Sequence, residues 1–144
     1  MSQGPPASAP AAPHGPPRRV FVVEDHPLMR RSLVEAIERE PDLAVCGQAD
    51  DAPEMAAILS LQPDVVLTDV QLKSSSGLEL IKALHTRAPE LPVVATTMFD
   101  VRRTERLARA AGASGFISKE NGPDQLVAVI REVLGKSGKH EPGA

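Results

Sequence analysis

The chain has 144 residues, of which 42% are hydrophobic and 24% charged, as is usual for one soluble globular domain. Its net charge of −3 and its lack of tryptophan and tyrosine argue against a basic nucleic-acid-binding surface and against base stacking on aromatic rings. No apolar run approaches the roughly 20 residues of a membrane span, and the N-terminus does not resemble a signal peptide. We therefore expect a cytoplasmic protein that contacts neither membrane nor nucleic acid directly.

The two ends of the chain differ in composition from its middle. Residues 1–17, MSQGPPASAPAAPHGPP, are mostly proline, alanine, glycine and serine, which bury too little apolar area to offset the entropy lost on ordering. Residues 137–144 form a polar and glycine-containing end that indicates a flexible tail. We predict a disordered tail over 1–17, a folded domain over 18–136 and a flexible tail over 137–144.

Five short apolar segments alternate with helical patterns along the folded part. Most are continuously apolar, as expected for parallel strands that are covered by helices on both faces. The predicted strands are Val20–Val23, Leu43–Cys46, Val65–Leu67, Val93–Thr97 and Gly115–Ser118.

The segments between these strands carry signals for the start and end of helices. The first helix is predicted to begin at Pro27, since proline suits a first helical turn. Capping-box patterns place the start of the second near Asp51, with Glu54, and of the third at Ser76, with Glu79. The fourth and fifth helices are predicted over Val101–Ala111, ending at Gly112, and from Pro123 to an end at Gly135.

This order of five strand–helix units predicts an α/β fold with a doubly wound parallel sheet. Connections between parallel strands are right-handed, and they place helices on both faces of the sheet. In open sheets of this kind, ligands bind beyond the carboxyl ends of the strands. The residues at those ends are therefore the candidates for function.

Charged and hydroxyl side chains stand at the ends of four predicted strands. Glu24 and Asp25 follow the first strand, and Asp69 follows the third. Thr97 ends the fourth strand, and Lys119 follows the fifth. If the first and third strands are neighbours, three carboxylates crowd one pocket and raise each other's pKa. A hard divalent cation, most plausibly Mg²⁺, or the Lys119 ammonium would compensate their charge.

The combination suits phosphoryl chemistry better than any of its parts. A metal would offset charge on an incoming phosphoryl group, and a carboxylate would serve as the nucleophile. Thr97 and Lys119 would then contact the phosphoryl oxygens. Taken singly, each residue also suits a structural role, such as an acid pair at a helix start, an aspartate in a turn or a solvated lysine.

The same residues resemble the receiver domain of bacterial two-component response regulators, over about Arg18 to Leu134. Gly77 stands eight residues after Asp69, as in that family. The opening EDHPLMRRSL and the segment AAGASGFISK are most similar to the nitrate-response and LuxR-like (NarL/FixJ) subfamily, which joins a receiver to a helix-turn-helix output domain. The other motifs that carry the resemblance are VFVVEDHPLMR, PDVVLTDVQLKSSSGLELI and VVATTMFD.

The resemblance implies a flavodoxin-like sheet of order 2-1-3-4-5 and a role for each acidic residue. Asp69 would accept a phosphoryl group from the phosphohistidine of a sensor histidine kinase or a phosphotransfer protein, with Mg²⁺ as cofactor. Asp25 and Asp69 would ligate the metal directly, and Glu24 would act mainly through water. The backbone carbonyl of Gln71 would complete the protein ligands.

The resemblance also implies a switch. Thr97 and Lys119 would bind the phosphoryl group, and Phe116 would change rotamer when Thr97 moves towards that group. Signalling would pass through the face built by the fourth helix, the fifth strand and the fifth helix. The chain departs from the family at Lys73, where a proline is usual, so we expect the loop KSSSG to be more mobile and more basic.

The output of such a domain is left open by the sequence. The chain suits a stand-alone receiver that docks to proteins, or the excised receiver of a DNA-binding transcriptional regulator. We expect no enzymatic turnover beyond self-phosphorylation and dephosphorylation. A phosphatase with an aspartyl nucleophile needs a second aspartate two residues on, where this chain has Gln71. The fourth helix carries four arginines, which indicate a solvated face or a docking surface: Arg102, Arg103, Arg106 and Arg109. A homodimer through the fourth helix, the fifth strand and the fifth helix is one expected assembly.

Overall fold

The computed structural model describes residues 15–51, 54–72, 76–98 and 100–136. Most of the predicted N-terminal tail, the whole predicted C-terminal tail and the loop at Lys73 lie outside these described residues. The predictions made for them stay predictions.

Strands and helices alternate throughout the described part of the chain. The strands are β1 (Arg18–Val23), β2 (Leu43–Ala49), β3 (Val65–Asp69), β4 (Val93–Thr97) and β5 (Gly115–Ser118). The helices are α1 (Pro27–Glu38), α2 (Met55–Ser60), α3 (Gly77–Arg87), α4 (Val101–Ala111) and α5 (Pro123–Lys136), and a short 3₁₀ helix, Lys119–Asn121, joins β5 to α5. The strands pair in parallel in the order β2-β1-β3-β4-β5, which confirms the predicted fold.

Two apolar cores lie on opposite faces of this sheet. Alternate side chains of each strand point to opposite faces, so neighbouring valines of β1 and β3 divide between the two cores. On one face the strands pack against α1 and α5 through Ile37, Leu126 and Ile130, which are fully or almost fully buried. On the other face they pack against α2, α3 and α4 through Ile58, Ile81 and Ala108. This double covering explains why the central strands are continuously apolar.

Most predicted helix ends are confirmed. The Ser76 hydroxyl accepts a hydrogen bond from the backbone N–H of Leu78 at 3.2 Å, and so caps α3. Gly112 ends α4 in the left-handed region, with φ of 119°. Glycine tolerates this backbone because it has no Cβ, and a Cβ here would also meet the ring of His85 at 2.6 Å.

Two helix boundaries were predicted wrongly. The second helix begins at Met55, with Glu54 as an N-cap residue that makes no side-chain capping bond, so the helix starts later than the predicted start near Asp51. The backbone of Glu54 is extended, with φ of −66° and ψ of 141°, so helical turns start only after it. The fifth helix continues one residue past Gly135 to Lys136, because an exposed glycine near a helix end does not by itself terminate the helix.

Three strands are longer than predicted. β1 begins at Arg18, β3 extends to Asp69, and β2 continues through Gly47 to Ala49. The missing side chain of Gly47 within β2 makes room for a neighbour, because a Cβ there would lie 2.7 Å from the ring of Phe21. The extension of β3 places Asp69 inside the last backbone pair with β4.

Candidate functional site

The register of β1 and β3 brings the three predicted carboxylates together. Val23 pairs with Thr68 across the two strands, so the residues that follow leave the sheet side by side. Glu24, Asp25 and Asp69 each offer an oxygen within 4.8 Å of the other two. Glu24 is fully buried and Asp69 is 6% exposed, whereas Asp25 is half-buried. The predicted convergence of the acidic residues is therefore found in the structure.

Lys119 reaches two of these carboxylates from the far side of β4. Its Nζ lies 2.6 Å from Glu24 Oε1 and 2.7 Å from Asp69 Oδ2, and its side chain is only 5% exposed. The 3₁₀ helix that begins at Lys119 starts directly after β5, and its N-cap Ser118 accepts a hydrogen bond from the Glu120 N–H. The cation thus comes from the residue immediately after the edge strand.

Hydrogen bonds from neighbouring residues hold Glu24 and Asp69 in place. The Glu24 Oε2 atom accepts a hydrogen bond from the His26 N–H at 3.2 Å, and Arg30 in α1 donates to the Glu24 carbonyl oxygen at 2.7 Å. The Asp69 Oδ1 atom accepts from the Gln71 N–H at 2.9 Å. These bonds restrict the side chains before any ligand arrives, which lowers the entropy cost of binding one.

Gly77 makes the close turn beneath Asp69 possible. Its N–H donates to the Val70 carbonyl at 2.9 Å, which brings the start of α3 against the end of β3. A Cβ on this glycine would lie 2.0 Å from the Asp69 carbonyl oxygen and 2.8 Å from Val70 Cα. Only a residue without a side chain fits between these backbone atoms.

The electrostatics of the cluster follow from its burial. Burial raises the pKa of Glu24, and the neighbouring Asp69 charge adds to this, while Lys119 opposes it. Burial alone would lower the pKa of Lys119, but hydrogen bonds and charge attraction from Asp69 and Glu24 outweigh it and raise that pKa. The lysine is therefore held as a cation between the acids.

These residues line a cleft of about 330 Å³ that also contains side chains the sequence did not single out. His26, Met29 and Met98 contribute to its walls. His26 caps α1 through Nδ1, which accepts from the Met29 N–H at 3.4 Å. A signal for His26 was present in the sequence, since it follows the acid pair directly. The predicted site residues that line the cleft are Glu24, Asp25, Asp69, Gln71 and Lys119.

Thr97 and Phe116 lie next to the cleft and do not line it. Thr97 is completely buried at the end of β4, where it pairs in register with Ser118. Phe116 is half-buried and packs against the core on the side of α3 and α4. The structure therefore places both predicted switch residues on strands that border the site.

The acidic residues fit a hard divalent cation. Their oxygens are close enough for one ion to bind two of them directly, with the third reached through water, and carboxylate oxygen is the donor that Mg²⁺ prefers. Gln71 lines the same cleft, and its backbone carbonyl is the fourth predicted ligand. A bound cation would reduce the repulsion between the three carboxylates, which Lys119 alone offsets only in part.

Comparison with known proteins identifies the family. The sequence model of the response regulator receiver domain matches residues 20–131, so the chain belongs to this family. Receiver domains as a class act as phosphoacceptors in two-component systems, bind Mg²⁺ in an acidic pocket and are generally not enzymes. This chain has an acidic cluster formed by Glu24, Asp25 and Asp69.

Three relatives define where in the family the chain belongs. It is 34% identical over 116 residues to the DNA-binding transcriptional activator DevR/DosR of Mycobacterium tuberculosis, covering 80% of this chain and 54% of that protein. It is 32% identical over 120 residues to the nitrate/nitrite response regulator protein NarP of Escherichia coli, covering 83% and 56%. A LuxR-family two-component response regulator from Aurantimonas sp. SI85-9A1 superimposes with a TM-score of 0.77 at 30% identity, over 83% of this chain and 86% of that one.

These relatives confirm the predicted resemblance to nitrate-response and LuxR-like regulators. The chain spans about half the length of the curated relatives it matches. No helix in the described part of the chain combines the length and the hydropathy that a bilayer crossing requires.

Proposed function

We propose that this receiver domain accepts a phosphoryl group on Asp69 from the phosphohistidine of a sensor histidine kinase or a phosphotransfer protein. One observation carries the proposal: a carboxylate only 6% exposed, with Lys119 on one oxygen and the Gln71 N–H on the other, faces a cleft shared with two more acids. A buried and oriented carboxylate is costly to maintain, and nucleophilic catalysis gives it a use.

The transfer step is a simple substitution at phosphorus. A carboxylate oxygen of Asp69 forms a bond to phosphorus as the phosphorus–nitrogen bond of the donor breaks. The electron pair of that bond stays on the donor imidazole, and the product is an acyl phosphate. Lys119, already 2.7 Å from Asp69, would neutralise part of the charge on the phosphoryl oxygens.

Mg²⁺ is the proposed cofactor, with Asp25 and Asp69 as direct ligands and Glu24 acting mainly through water. The carbonyl of Gln71 is the remaining proposed protein ligand. When bound there, the ion would offset the negative charge that the phosphoryl group brings to three carboxylates. The carboxylates themselves orient it, since their oxygens already lie within 4.8 Å of one another.

The proposed switch connects this chemistry to α4, β5 and α5. Thr97 would form a hydrogen bond to the new phosphoryl oxygens, and Phe116 would move into the space that Thr97 leaves. Such a movement shifts an equilibrium between two packings of the same face. The position of Phe116 supports this role, because Phe116 pairs with Ala95 in β4 and packs on the side of α4.

The surface of α4 supports a docking role in the output. Leu107 is 46% exposed and Val101 is 37% exposed, and exposed arginines surround them. Arg109 is engaged in an ion pair with Glu105 at 3.0 Å. An output domain that binds DNA in a longer protein is a proposal that a DNA-binding relative supports. A homodimer through α4, β5 and α5 is proposed on the exposed apolar side chains of Leu107 and Val101. A cytoplasmic location, without contact with membrane or nucleic acid by this domain, completes the proposal.

Replacement of the acceptor tests the assignment. Asp69→Asn is expected to abolish labelling by acetyl phosphate in the presence of Mg²⁺, since an amide is not a nucleophile under these conditions. Labelling is measured by intact mass, and the modified residue is mapped by peptide mass spectrometry. Asp124→Asn, an exposed aspartate in the first turn of α5, is the matched control and is expected to label normally.

Two outcomes would contradict the proposal. Labelling that persists in Asp69→Asn would show that another residue is the acceptor. Labelling that does not depend on Mg²⁺ would show that the reaction does not need the metal. Steady turnover of a generic phosphate ester would favour the alternative of an aspartyl phosphatase, which a receiver domain should not show.

A further inference from the structure

A second cleft lies behind Lys119, on the face of the sheet that α1 and α5 cover. It has a volume of about 250 Å³ and opens between α1 and the start of α5. Lys119 lines both this cleft and the acidic cleft, so its side chain forms part of the wall between them. The other residues described above as the phosphoryl and metal site do not line this second cleft.

The lining combines apolar side chains with a few polar ones. Leu33, Ile117 and Leu126 form apolar walls, and Ser32, Thr96 and Ser118 supply hydroxyl groups. A pocket that is mainly apolar with a small number of placed polar groups is the usual character of a small-molecule site. The volume exceeds that of a single water molecule, about 30 Å³, several times over.

The buried hydroxyl of Thr96 gives the cleft an unsatisfied polar group. Thr96 is 1% exposed, and its Oγ1 has no hydrogen-bond partner among the described residues. Buried hydroxyl groups in proteins are nearly always hydrogen-bonded, and an exception calls for an explanation such as a bound molecule. A rotation about χ1 moves a threonine hydroxyl between staggered positions without moving the backbone.

The charges near the cleft favour a neutral ligand. Glu35 of α1 and Arg39, the C-cap residue of that helix, are exposed and contribute opposite charges to the lining. The Glu35 Oε2 atom also lies 3.4 Å from Arg31 Nε. The Lys119 ammonium is already bound to Glu24 and Asp69. The opposite charges of Glu35 and Arg39 offset each other, so a charged ligand of either sign would lose its hydration here without a net attraction.

We propose that the cleft between α1 and α5 binds a small neutral molecule that has a branched aliphatic body and one amide or hydroxyl group. The body packs against Leu33, Ile117 and Leu126. The polar group forms a hydrogen bond with Thr96 Oγ1, which rotation about χ1 turns from its buried position towards the cleft. The ligand contacts the junction of β5 and α5, the segment that carries Lys119. Binding itself does not depend on the proposed phosphoryl chemistry.

The probe for the test is isobutyramide, with isobutyrate and protonated isobutylamine as charged analogues of similar shape. Amide chemical shifts of the ¹⁵N-labelled chain are followed during titration. We expect saturable shifts centred on Ile117, Ser118 and Leu126, with a roughly millimolar Kd, as befits so small a ligand. The charged analogues are expected to bind about tenfold more weakly or not at all.

Two variants locate the site. Thr96→Val, which is close to isosteric, should weaken isobutyramide about fivefold, the loss of one neutral hydrogen bond. Ser32→Leu should block the cleft from its exposed side, while Thr86→Val, an exposed threonine on α3, should change nothing. Far-UV circular dichroism and thermal melting check that each variant is folded.

Several results would overturn the proposal. These are shifts that do not saturate, shifts that map away from the cleft, equal binding of the charged analogues, and binding that survives both Thr96→Val and Ser32→Leu. Failure of the phosphoacceptor assignment would appear in the separate labelling assay and would leave these titrations unaffected.

Discussion

Two clusters in this molecule place one cation between two carboxylates, and they lie in opposite environments. Lys119 contacts Glu24 and Asp69 at 2.6 and 2.7 Å, with side chains that are 5%, 1% and 7% exposed. Arg131 of α5 contacts Glu40 and Asp42 at the same two distances, with side chains that are 46%, 33% and 52% exposed. Distance alone therefore does not separate a buried cluster from an exposed one.

The pKa directions separate them. Burial raises the pKa of Glu24 despite the adjacent lysine, whereas hydrogen bonds from Arg131 lower the pKa of Asp42. The same hydrogen bonds raise the pKa of Arg131. At the surface, water solvates both charges and attraction decides the direction, whereas for Glu24 in the cleft the loss of hydration decides it. The buried cluster is held at a cost in stability, and the exposed one adds a little stability.

The largest expected effect comes from removing each cation in turn. Lys119→Met should lower the free energy of unfolding by about 3 kcal/mol, because it leaves two buried carboxylates without a counter-charge. Arg131→Met should lower it by less than about 1 kcal/mol, as for other exposed ion pairs. Urea unfolding at pH 7 measures both values. Equal losses of stability would show that burial does not distinguish the Lys119 cluster from the Arg131 cluster.

The backbone beneath the buried cluster offers the next contrast. Gly77→Ala should lower the free energy of unfolding by about 2–3 kcal/mol, since its Cβ would overlap the backbone of Asp69. It should also slow labelling by acetyl phosphate. Gly135→Ala in α5 is the matched control, because a Cβ there meets nothing within 4 Å, and it should be neutral or raise stability by up to about 1 kcal/mol. An unchanged free energy of unfolding in Gly77→Ala would contradict the prediction, because it would show that the backbone around this turn can move to accommodate a Cβ.

Neutralising a buried acid should raise the free energy of unfolding, whereas removing the lysine should lower it. Glu24→Gln should raise the free energy of unfolding by about 1 kcal/mol at pH 7, since it removes a buried charge. The pKa of Glu24 is raised in the folded state, so its contribution is present below its ordinary value of 4.5 and is lost as pH rises through the folded value. The gain from Glu24→Gln should therefore grow with pH above 4.5 in urea melts without metal. A gain that is independent of pH would contradict this reading.

The smallest expected change in the free energy of unfolding belongs to the exposed cluster of Arg131, and its pH dependence is opposite to that of Glu24. The pKa of Asp42 is lowered in the folded state, so its stabilisation is present above its ordinary value of 3.8 and is lost as pH falls through the folded value. Arg131→Gln should remove at most about 1 kcal/mol at pH 7 and flatten the fall in stability below pH 4. Asp42→Asn in the same background should add nothing further, and an additive loss would show that the two residues act separately.

Much of the fold could be predicted because strand and helix periods differ so clearly here. Continuous apolar runs such as Val65–Leu67 require cover on both faces, and only alternating helices supply it. The convergence of Glu24, Asp25 and Asp69 followed from the parallel direction of the strands together with the adjacency of β1 and β3. That adjacency is a matter of topology, and the resemblance to a known family supplied it where local pattern does not.

What the sequence could not supply are the contacts that depend on three-dimensional spacing. The capping pattern at Asp51 and Glu54 has the right residues, yet the helix begins later, because a cap forms only where the backbone already turns. The role of Arg30 in holding the Glu24 carbonyl, and the cleft behind Lys119, involve residues far apart in sequence or unremarkable in type. Neither has a local signature.

The reach of Lys119 has a consequence for the edge of the sheet. β5 has four residues and pairs with β4 alone, so its backbone bonds tie it only to its immediate neighbour. The lysine that follows it crosses β4 and fastens this margin to β3 and β1 at the centre. We therefore expect hydrogen–deuterium exchange in β5 to change when a ligand occupies the acidic cleft, because a ligand that draws the ammonium towards itself would weaken this tie between the edge strand and the centre of the sheet.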